Sequence, residues 1–298
     1  MVKKVQLSSD GPELSRIVAG MWRISEVDQP INNTVSMIEA AVANGITTFD
    51  NADIYGDYSA EEVFGKAFER SGVARDEVQF VTKCNIILPS SNRPSNELHM
   101  YNTSYDHIVK SVENSLKLHR TDYLDLVLIH RPDPLMVPQE VSKAMEELKN
   151  DGKVKYFGVS NFSVRQFEML QSFIPFQLVT NQIEISPFAL DSFTNGDLDY
   201  CIEHNRKPMA WSPLGGGKLF ESSDSEFFRV LNQLCDRYDC TPDQLVFAWL
   251  IKHPASILPI TGTTKADRIV AAARAVGIQL TREDWFRFYV AARGEDVP

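Results

Sequence analysis

The sequence predicts a (β/α)8 TIM barrel in which residues 1–298 form one domain. Eight short, mostly apolar runs rich in β-branched residues alternate with stretches whose apolar residues recur every three or four positions. No linker rich in proline, glycine or serine interrupts this alternation. The length also suits one barrel of about 250 residues with insertions. Consecutive right-handed crossovers then place the helices around a closed parallel sheet.

The predicted strands are short and apolar, as expected for strands that are covered on both faces. They are residues 17–20, 46–49, 78–82, 124–129, 154–159, 178–182, 207–211 and 257–261. Two weaker signals, at 3–7 and 13–16, predict an N-terminal β-hairpin that closes the bottom of the barrel.

Apolar spacing near 3.6 residues predicts helices between these strands. The clearest are residues 34–43, 105–119, 138–150 and 163–172. Asn44-Gly45 and Asp151-Gly152 follow two of these helices, and glycine at this position ends a helix readily because it adopts the left-handed conformation. An aromatic stripe near the C-terminus is expected to be core packing or a lid over the site. It consists of Trp285, Phe286, Phe288 and Tyr289.

Two connections are longer than ordinary turns and each follows a predicted strand. They are residues 84–104 and 212–226. Loops that follow strands lie on the carboxyl-end face of a barrel, where active sites are built. The first connection is rich in proline, serine and asparagine, which is typical of a mobile rim, and we expect it to form a loop on the substrate side.

Charge and cysteine content narrow the class of protein. The chain has 30 Lys and Arg against 40 Asp and Glu, a net charge of −10, which repels nucleic-acid phosphates and anionic lipids. We therefore expect neither a nucleic-acid nor a membrane partner. Four cysteines without CxxC spacing indicate reduced packing residues and a cytoplasmic protein. For the oligomeric state, a monomer is the default expectation. These cysteines are Cys84, Cys201, Cys235 and Cys240.

Four proton-active side chains follow three consecutive predicted strands. Asp50 and Tyr55 follow the second strand, Lys83 the third and His130 the fourth, so all four should meet at the barrel mouth. An ammonium group beside a phenol lowers the pKa of the phenol, and a carboxylate keeps that ammonium protonated. The imidazole can hydrogen-bond an oxygen on which charge develops. This set suits proton delivery to a carbonyl oxygen, with the hydride coming from a cofactor.

Each of these residues also has a simpler interpretation. Asp50 could cap a loop, Lys83 could be a solvated strand end, and His130 alone would more often be a buried structural histidine. Tyr58 competes with Tyr55 in the same loop, although only Tyr55 directly precedes Gly56. The convergence of these four side chains from three strand ends favours the catalytic interpretation of the set.

Motifs along almost the whole chain resemble those of the aldo-keto reductases, which are NADP-dependent barrel enzymes. They are FDNADIYG at 49–56, Lys83 at the end of its strand, LIHRPDP at 128–134, GVSNF at 158–162, NQIEISP at 181–187 and WSPLGGGKL at 211–219. The resemblance implies a barrel reductase that uses Asp50, Tyr55, Lys83 and His130, with Tyr55 as the general acid.

The resemblance also implies NADPH/NADP⁺ as the cofactor and a set of residues that bind it. Ser160, Asn161 and Gln182 would hydrogen-bond the carboxamide, and Trp211 would stack on the nicotinamide. Small residues and a helix start after the last two strands form an anion pocket for the phosphates, and a guanidinium one turn into that helix can fork a 2′-phosphate. The residues implied there are Ser212, Leu214, Gly216, Lys218, Gly262, Thr263, Thr264, Lys265 and Arg268.

The chain departs from the family pattern after Arg268. The family usually has a Glu-Asn pair there that contacts adenine, whereas this chain continues Ile269-Val270-Ala271-Ala272. Trp22 resembles a family residue that lines the substrate pocket, so an apolar carbonyl site is expected. The histidines are scattered and no HExxH motif occurs, so no catalytic metal is expected.

The expected function is NADPH-dependent reduction of aldehydes or ketones to alcohols, with Tyr55 donating the proton. The alternative is a cofactor-binding, redox-sensing regulatory subunit of the potassium-channel β-subunit type in the same superfamily. That branch carries an extension before the barrel, and this chain has little more than a dozen residues there. The enzyme is therefore the preferred hypothesis.

Overall fold

The computed structural model describes residues 1–25, 30–221 and 224–298, and a closed parallel barrel lies at its centre. The strands in the described residues are β1 Lys4–Gln6, β2 Glu13–Ser15, β3 Val18–Gly20, β4 Thr48–Asp50, β5 Gln79–Cys84, β6 Ile86–Ile87, β7 Met100–Tyr101, β8 Leu124–Ile129, β9 Val154–Ser160, β10 Leu178–Glu184, β11 Met209–Trp211 and β12 Leu258–Thr261. The barrel runs β3-β4-β5-β8-β9-β10-β11-β12 and closes where Ile260 pairs with Val18. Each predicted barrel strand overlaps one of these, so the (β/α)8 prediction is confirmed.

Helices alternate with the barrel strands as predicted. The described residues contain α1 Ile31–Ala43, α2 Tyr55–Tyr58, α3 Ala60–Ser71, α4 Tyr105–His119, α5 Pro138–Asn150, α6 Val164–Gln171, α7 Asp197–Glu203, α8 Glu226–Tyr238, α9 Pro242–Lys252, α10 Ala266–Arg274 and α11 Arg282–Arg293. Helix α1 begins three residues before the predicted start, because Ile31 packs against the core and extends its apolar face. Helix α6 begins with a capping box between Ser163 and Gln166.

The N-terminal hairpin closes the bottom of the barrel, which confirms that prediction. Strands β1 and β2 pair antiparallel. Leu7 and Leu14 are completely buried and pack with apolar residues of the barrel interior, including Leu126 and Met209. The Lys207 amide, just before β11, donates to the Leu7 carbonyl oxygen at 2.8 Å. The amino-terminal end of the barrel is therefore plugged by leucine side chains.

The C-terminal aromatic stripe is core packing. The Trp285 ring stacks on Trp249 of α9 with centroids 5.4 Å apart, and Phe288 is completely buried. The four cysteines are free thiols, of which only Cys240 is partly exposed. Among the described residues, every helix is too short or too polar to span a bilayer.

The connection at residues 84–104 is more ordered than its composition predicts. Strands β6 and β7 pair within it, with Ile86 opposite Tyr101. The Tyr58 hydroxyl accepts a hydrogen bond from the Leu88 amide at 2.7 Å. The predicted mobile rim is thus a short β-ribbon anchored to α2. Of the second long connection, residues 222–223 lie outside the described part of the chain, as do residues 26–29.

Candidate active site

Lys83 contacts two other predicted catalytic residues, Asp50 and Tyr55, at the carboxyl ends of β4 and β5. Its Nζ lies 2.7 Å from Asp50 Oδ2 and 3.1 Å from Tyr55 Oη, and it also donates to the Asn51 carbonyl oxygen at 2.7 Å. Lys83 and Asp50 are both buried. Because an ammonium has three donors, these contacts use all of its hydrogen-bonding capacity and fix its position.

His130 lies beside the Tyr55 phenol. Its amide donates to the Cys84 carbonyl oxygen at 2.9 Å, which sets the residue directly beyond β8. Its ring meets the Tyr55 ring edge-on, with centroids 6.0 Å apart. The structure therefore brings together all four residues that the strand ends predict.

Gln182 has a contact that the sequence does not predict. The resemblance implies a role at the carboxamide, but in this structure Gln182 Nε2 donates to Asp50 Oδ1 at 2.9 Å, across the barrel from β10 to β4. Lys83 holds the other oxygen of the same carboxylate. Both oxygens of Asp50 are therefore bound, and the carboxylate is fixed on the lysine.

Burial dominates the electrostatics of the phenol. It raises the pKa of Tyr55 above the ordinary value of 10.0, and the opposing influence of Lys83 does not offset it. The expectation that the lysine brings about a net lowering of this pKa is therefore wrong, because desolvation of the phenolate outweighs the ammonium. Tyr55 is a neutral, protonated phenol at neutral pH.

Lys83 and His130 differ in charge: the lysine is cationic and the histidine is neutral. Burial on its own lowers the pKa of Lys83, but Asp50 and Tyr55 raise it above 10.5 overall, so the ammonium stays charged. Burial, followed by the charges of Lys83 and Arg131, holds the pKa of His130 well below 6.5. Its buried Nδ1 has no hydrogen-bond partner among the described residues. The site thus contains a cationic lysine beside a neutral imidazole.

A chain of hydrogen bonds orders the mouth between β9 and β11. Trp211 Nε1 donates to Asn161 Oδ1 at 2.9 Å, and Asn161 Nδ2 donates to Ser160 Oγ at 2.8 Å. Ser160 Oγ in turn donates to the Gln182 carbonyl oxygen at 2.8 Å. The indole of Trp211 is therefore held by its edge while the residue stays partly exposed. This arrangement fits a flat ring stacked beside the catalytic residues.

The ends of β11 and β12 fit the phosphates of the expected cofactor. At Gly216 and Gly262, an added Cβ would meet no atom within 4 Å, so the backbone lies open for close approach. Lys218, Lys265 and Arg268 are exposed, and within the described residues no carboxylate forms an ion pair with any of them. Open backbone beside unpaired cations suits an anionic group. Ser212, Thr263 and Thr264 are partly exposed in the same loops, and Leu214 packs against the hydrophobic core.

Trp22 and Arg23 form the remaining side of the mouth. Trp22 is 48% exposed, and its ring lies 6.3 Å from that of Tyr55. Arg23 Nη2 donates to the Gly216 carbonyl oxygen at 3.2 Å, a contact between the loops after β3 and β11 that the sequence does not predict. Across the described residues, no group of three or more His, Cys, Asp or Glu side chains is arranged to hold a metal ion.

A parallel barrel with proton-active side chains at the carboxyl ends of its strands, beside open backbone and unpaired cations, defines a barrel enzyme. The chain belongs to the aldo/keto reductase family, whose sequence model matches residues 16–289, and it is therefore an oxidoreductase.

Individual relatives support this assignment. The chain is 46% identical to the uncharacterised oxidoreductase YcsN of Bacillus subtilis over 301 residues, covering 100% of both chains. It is also 46% identical to a 6-dehydroglucose reductase of Agrobacterium fabrum, over 97% of this chain and 98% of the relative. The crystal structure of an aldo-keto reductase from Klebsiella pneumoniae in complex with NADPH superposes with a TM-score of 0.79 at 29% identity, over 97% and 96% of the two chains. That complex agrees with the expected cofactor.

Proposed function

We propose that this chain reduces aldehydes or ketones to alcohols with NADPH, and that Tyr55 is the general acid. The observation that carries the proposal is the Lys83 ammonium, which contacts both the Asp50 carboxylate and the Tyr55 hydroxyl. The NADPH-bound relative and the fit of the β11 and β12 loops to phosphates support the cofactor. When bound, NADPH supplies the hydride.

Tyr55 supplies the proton in this proposal. A neutral phenol is a competent donor, and the adjacent ammonium stabilises the phenolate that remains after transfer. Lys83 stays charged because Asp50 and Tyr55 raise its pKa, and Gln182 fixes the Asp50 side chain from across the barrel. The proton therefore leaves Tyr55 Oη for the carbonyl oxygen while the positive charge stays on Lys83.

His130 orients the carbonyl oxygen. Because burial and neighbouring cations keep the imidazole neutral, it acts as a neutral hydrogen-bond donor rather than as a competing acid. Trp22, whose ring centroid lies 6.3 Å from that of Tyr55, and Trp211 line the mouth of the site. The substrate is thus held between aromatic side chains, with its oxygen directed at Tyr55 and His130.

The experiment is turnover of NADPH with a panel of aldehydes, diketones and quinones. The panel includes sugar-derived aldehydes because the Agrobacterium fabrum relative is named for 6-dehydroglucose. Tyr55→Phe should lower turnover about 10²- to 10⁴-fold, the usual contribution of a general acid, without loss of NADPH binding measured by fluorescence.

Tyr123→Phe is the matched control, since Tyr123 directly precedes β8 at the amino-terminal end of the barrel, and it should retain most of the turnover. Undiminished turnover in Tyr55→Phe would remove the acid assignment. A wild-type protein that binds NADPH but reduces no member of the panel would contradict the enzymatic proposal itself.

A further inference from the structure

Arg131, the residue after His130, carries a charge at the barrel mouth without a counter-ion. Its side chain is half-buried. In the described part of the chain no carboxylate pairs with its guanidinium, and no acceptor takes a hydrogen bond from it. The arginines that do form ion pairs with carboxylates are Arg75, Arg120, Arg165, Arg229, Arg237 and Arg293.

Asn85, which follows the strand that carries Lys83, hydrogen-bonds the backbone of Arg131. Asn85, directly beyond β5, is buried and has a φ of +97°, a left-handed conformation that asparagine tolerates better than most residues. Its side chain accepts from the Arg131 amide and donates to the Arg131 carbonyl oxygen, each at 3.0 Å. Two hydrogen bonds from one buried amide therefore hold Arg131 at a set position.

The guanidinium lies beside the reacting groups. Its carbon is 5.7 Å from the centroid of the Trp211 ring. Its charge opposes the rise that burial causes in the pKa of Tyr55 and adds to the lowering of the pKa of His130, so it lies near both groups. Lys218, Lys265 and Arg268 are the unpaired cations beyond β11 and β12, at the phosphate end. Arg131 therefore lies beside the candidate catalytic residues rather than with the cations at the phosphate end.

An unpaired, half-buried cation is costly unless a ligand supplies acceptors. A guanidinium presents two parallel N–H donors that match a pair of oxygens, and it does so in a planar fork that lysine cannot reproduce. We propose that Arg131 binds a pair of oxygen atoms that the substrate carries next to its carbonyl group. The substrate class is then a carbonyl compound with an adjacent carboxylate or with adjacent hydroxyls. This inference rests on the proposed function and specifies its substrate.

The first test compares kcat/KM for matched substrate pairs. Glyoxylate against acetaldehyde tests the carboxylate, and glyceraldehyde against propanal tests the hydroxyls. In wild type we expect the oxygenated member of at least one pair to be preferred. Arg131→Met should reduce that preference about 10- to 100-fold, the range for charge-assisted hydrogen bonds, with the unsubstituted member changed less than about 3-fold. Arg131→Lys should restore only part of the preference.

If Arg131→Met changes the preference for glyoxylate, Arg131 binds a carboxylate; if it changes the preference for glyceraldehyde, Arg131 binds hydroxyls. Arg165→Met is the control, since the Arg165 side chain is 89% exposed on α6, and it should leave both ratios unchanged. If Arg131→Met slows both members of each pair equally, the guanidinium acts only through its charge on Tyr55 and His130. That result would overturn the inference.

A binding measurement separates this inference from the proposed function. Oxamate is an unreactive analogue with a carboxylate next to a carbonyl, and calorimetry measures its affinity for the NADPH-loaded protein. We expect at least about 10-fold weaker binding in Arg131→Met than in wild type or Arg165→Met. Equal affinity in all three, together with unchanged substrate ratios, would refute the role of Arg131. Absence of any carbonyl turnover with intact oxamate selectivity would instead refute the proposed function alone.

Discussion

At the scale of single residues, burial and charge have different effects on Tyr55: burial favours the neutral phenol, and the Lys83 ammonium favours the phenolate. Burial makes the phenolate unfavourable, so Tyr55 holds its proton until an acceptor arrives. The ammonium 3.1 Å away favours the phenolate once the proton has gone. A raised pKa is therefore compatible with acid catalysis, because the donor is present in its protonated form at every physiological pH.

His130 gives a prediction about pH. Its pKa lies well below 6.5, so the neutral imidazole persists as the pH falls through that value. The His130 Cε1–H chemical shift should stay constant between about pH 8 and about pH 6, measured by NMR with His130→Asn for assignment. In Arg131→Met one neighbouring cation is removed, and the pKa of His130 should move upward. A titration step near pH 6.5 in the wild-type protein would contradict the prediction.

The positions of the four candidate catalytic residues could be predicted because each lies at the carboxyl end of its strand or in the segment just beyond it. Parallel register then brings strand ends to the same face, with Asp50 opposite Val81 and Lys83 opposite Leu128. The contact between Gln182 and Asp50 could not be predicted, since it joins side chains 132 positions apart across the barrel. The net pKa of Tyr55 also depends on burial, which no local sequence pattern specifies.

At the scale of secondary-structure elements, a buried carboxylate joins helices α8 and α11. Asp284, in the first turn of α11, accepts from Arg237 Nη1 at 2.6 Å and from the Tyr238 hydroxyl at 2.7 Å. Its own amide donates to Thr281 Oγ1, which caps the same helix. One side chain thus fixes the end of α8 against the beginning of α11.

Asp284→Asn should lower the free energy of unfolding by about 2–3 kcal/mol, because hydrogen bonds to a charged group lose their ionic partner. Urea denaturation measures the effect. Burial on its own raises the pKa of Asp284, but hydrogen bonds from Tyr238 and Arg237 bring it below 3.8. The stabilisation is therefore present above about pH 3.8 and disappears as the pH falls below it.

Glu226→Gln provides the comparison, because the pair between Glu226 and Arg229 is exposed. It should change the free energy of unfolding by less than about 0.5 kcal/mol. Equal effects of the two substitutions at neutral pH would show that Asp284 does not link the helices.

Element boundaries were predictable where local signals are strong. Helices α4 and α5 have the predicted bounds, since Ser104 caps the first and Gly152 follows the end of the second. The ribbon of β6 and β7 was not predictable from composition. Its order depends on the Tyr58 hydroxyl, which lies 30 residues away from Leu88 in the chain.

At the scale of the whole molecule, the leucine side chains that plug the barrel and the candidate site lie at opposite ends of the barrel. A substitution in the plug should therefore change stability without changing the reaction. Leu14→Ala removes a completely buried side chain and should cost about 2–5 kcal/mol of stability. Turnover per folded molecule should change little. Thermal and urea denaturation measure the first effect, and turnover below the melting temperature measures the second.

Leu135→Ala is the matched control, since Leu135 is 86% exposed. It should shift stability by less than about 0.5 kcal/mol. A similar cost for both leucine substitutions would show that the hairpin contributes little to the core.

The pairing of β12 with β3 has a consequence for biosynthesis. Ile260 of β12 pairs with Val18 of β3. About 240 residues must therefore be synthesised after Val18 before β3 can pair with β12. Until then a nascent chain carries two unsatisfied strand edges, which favour association with other chains. Chaperone protection during translation is therefore most valuable to this protein just before its last strand emerges.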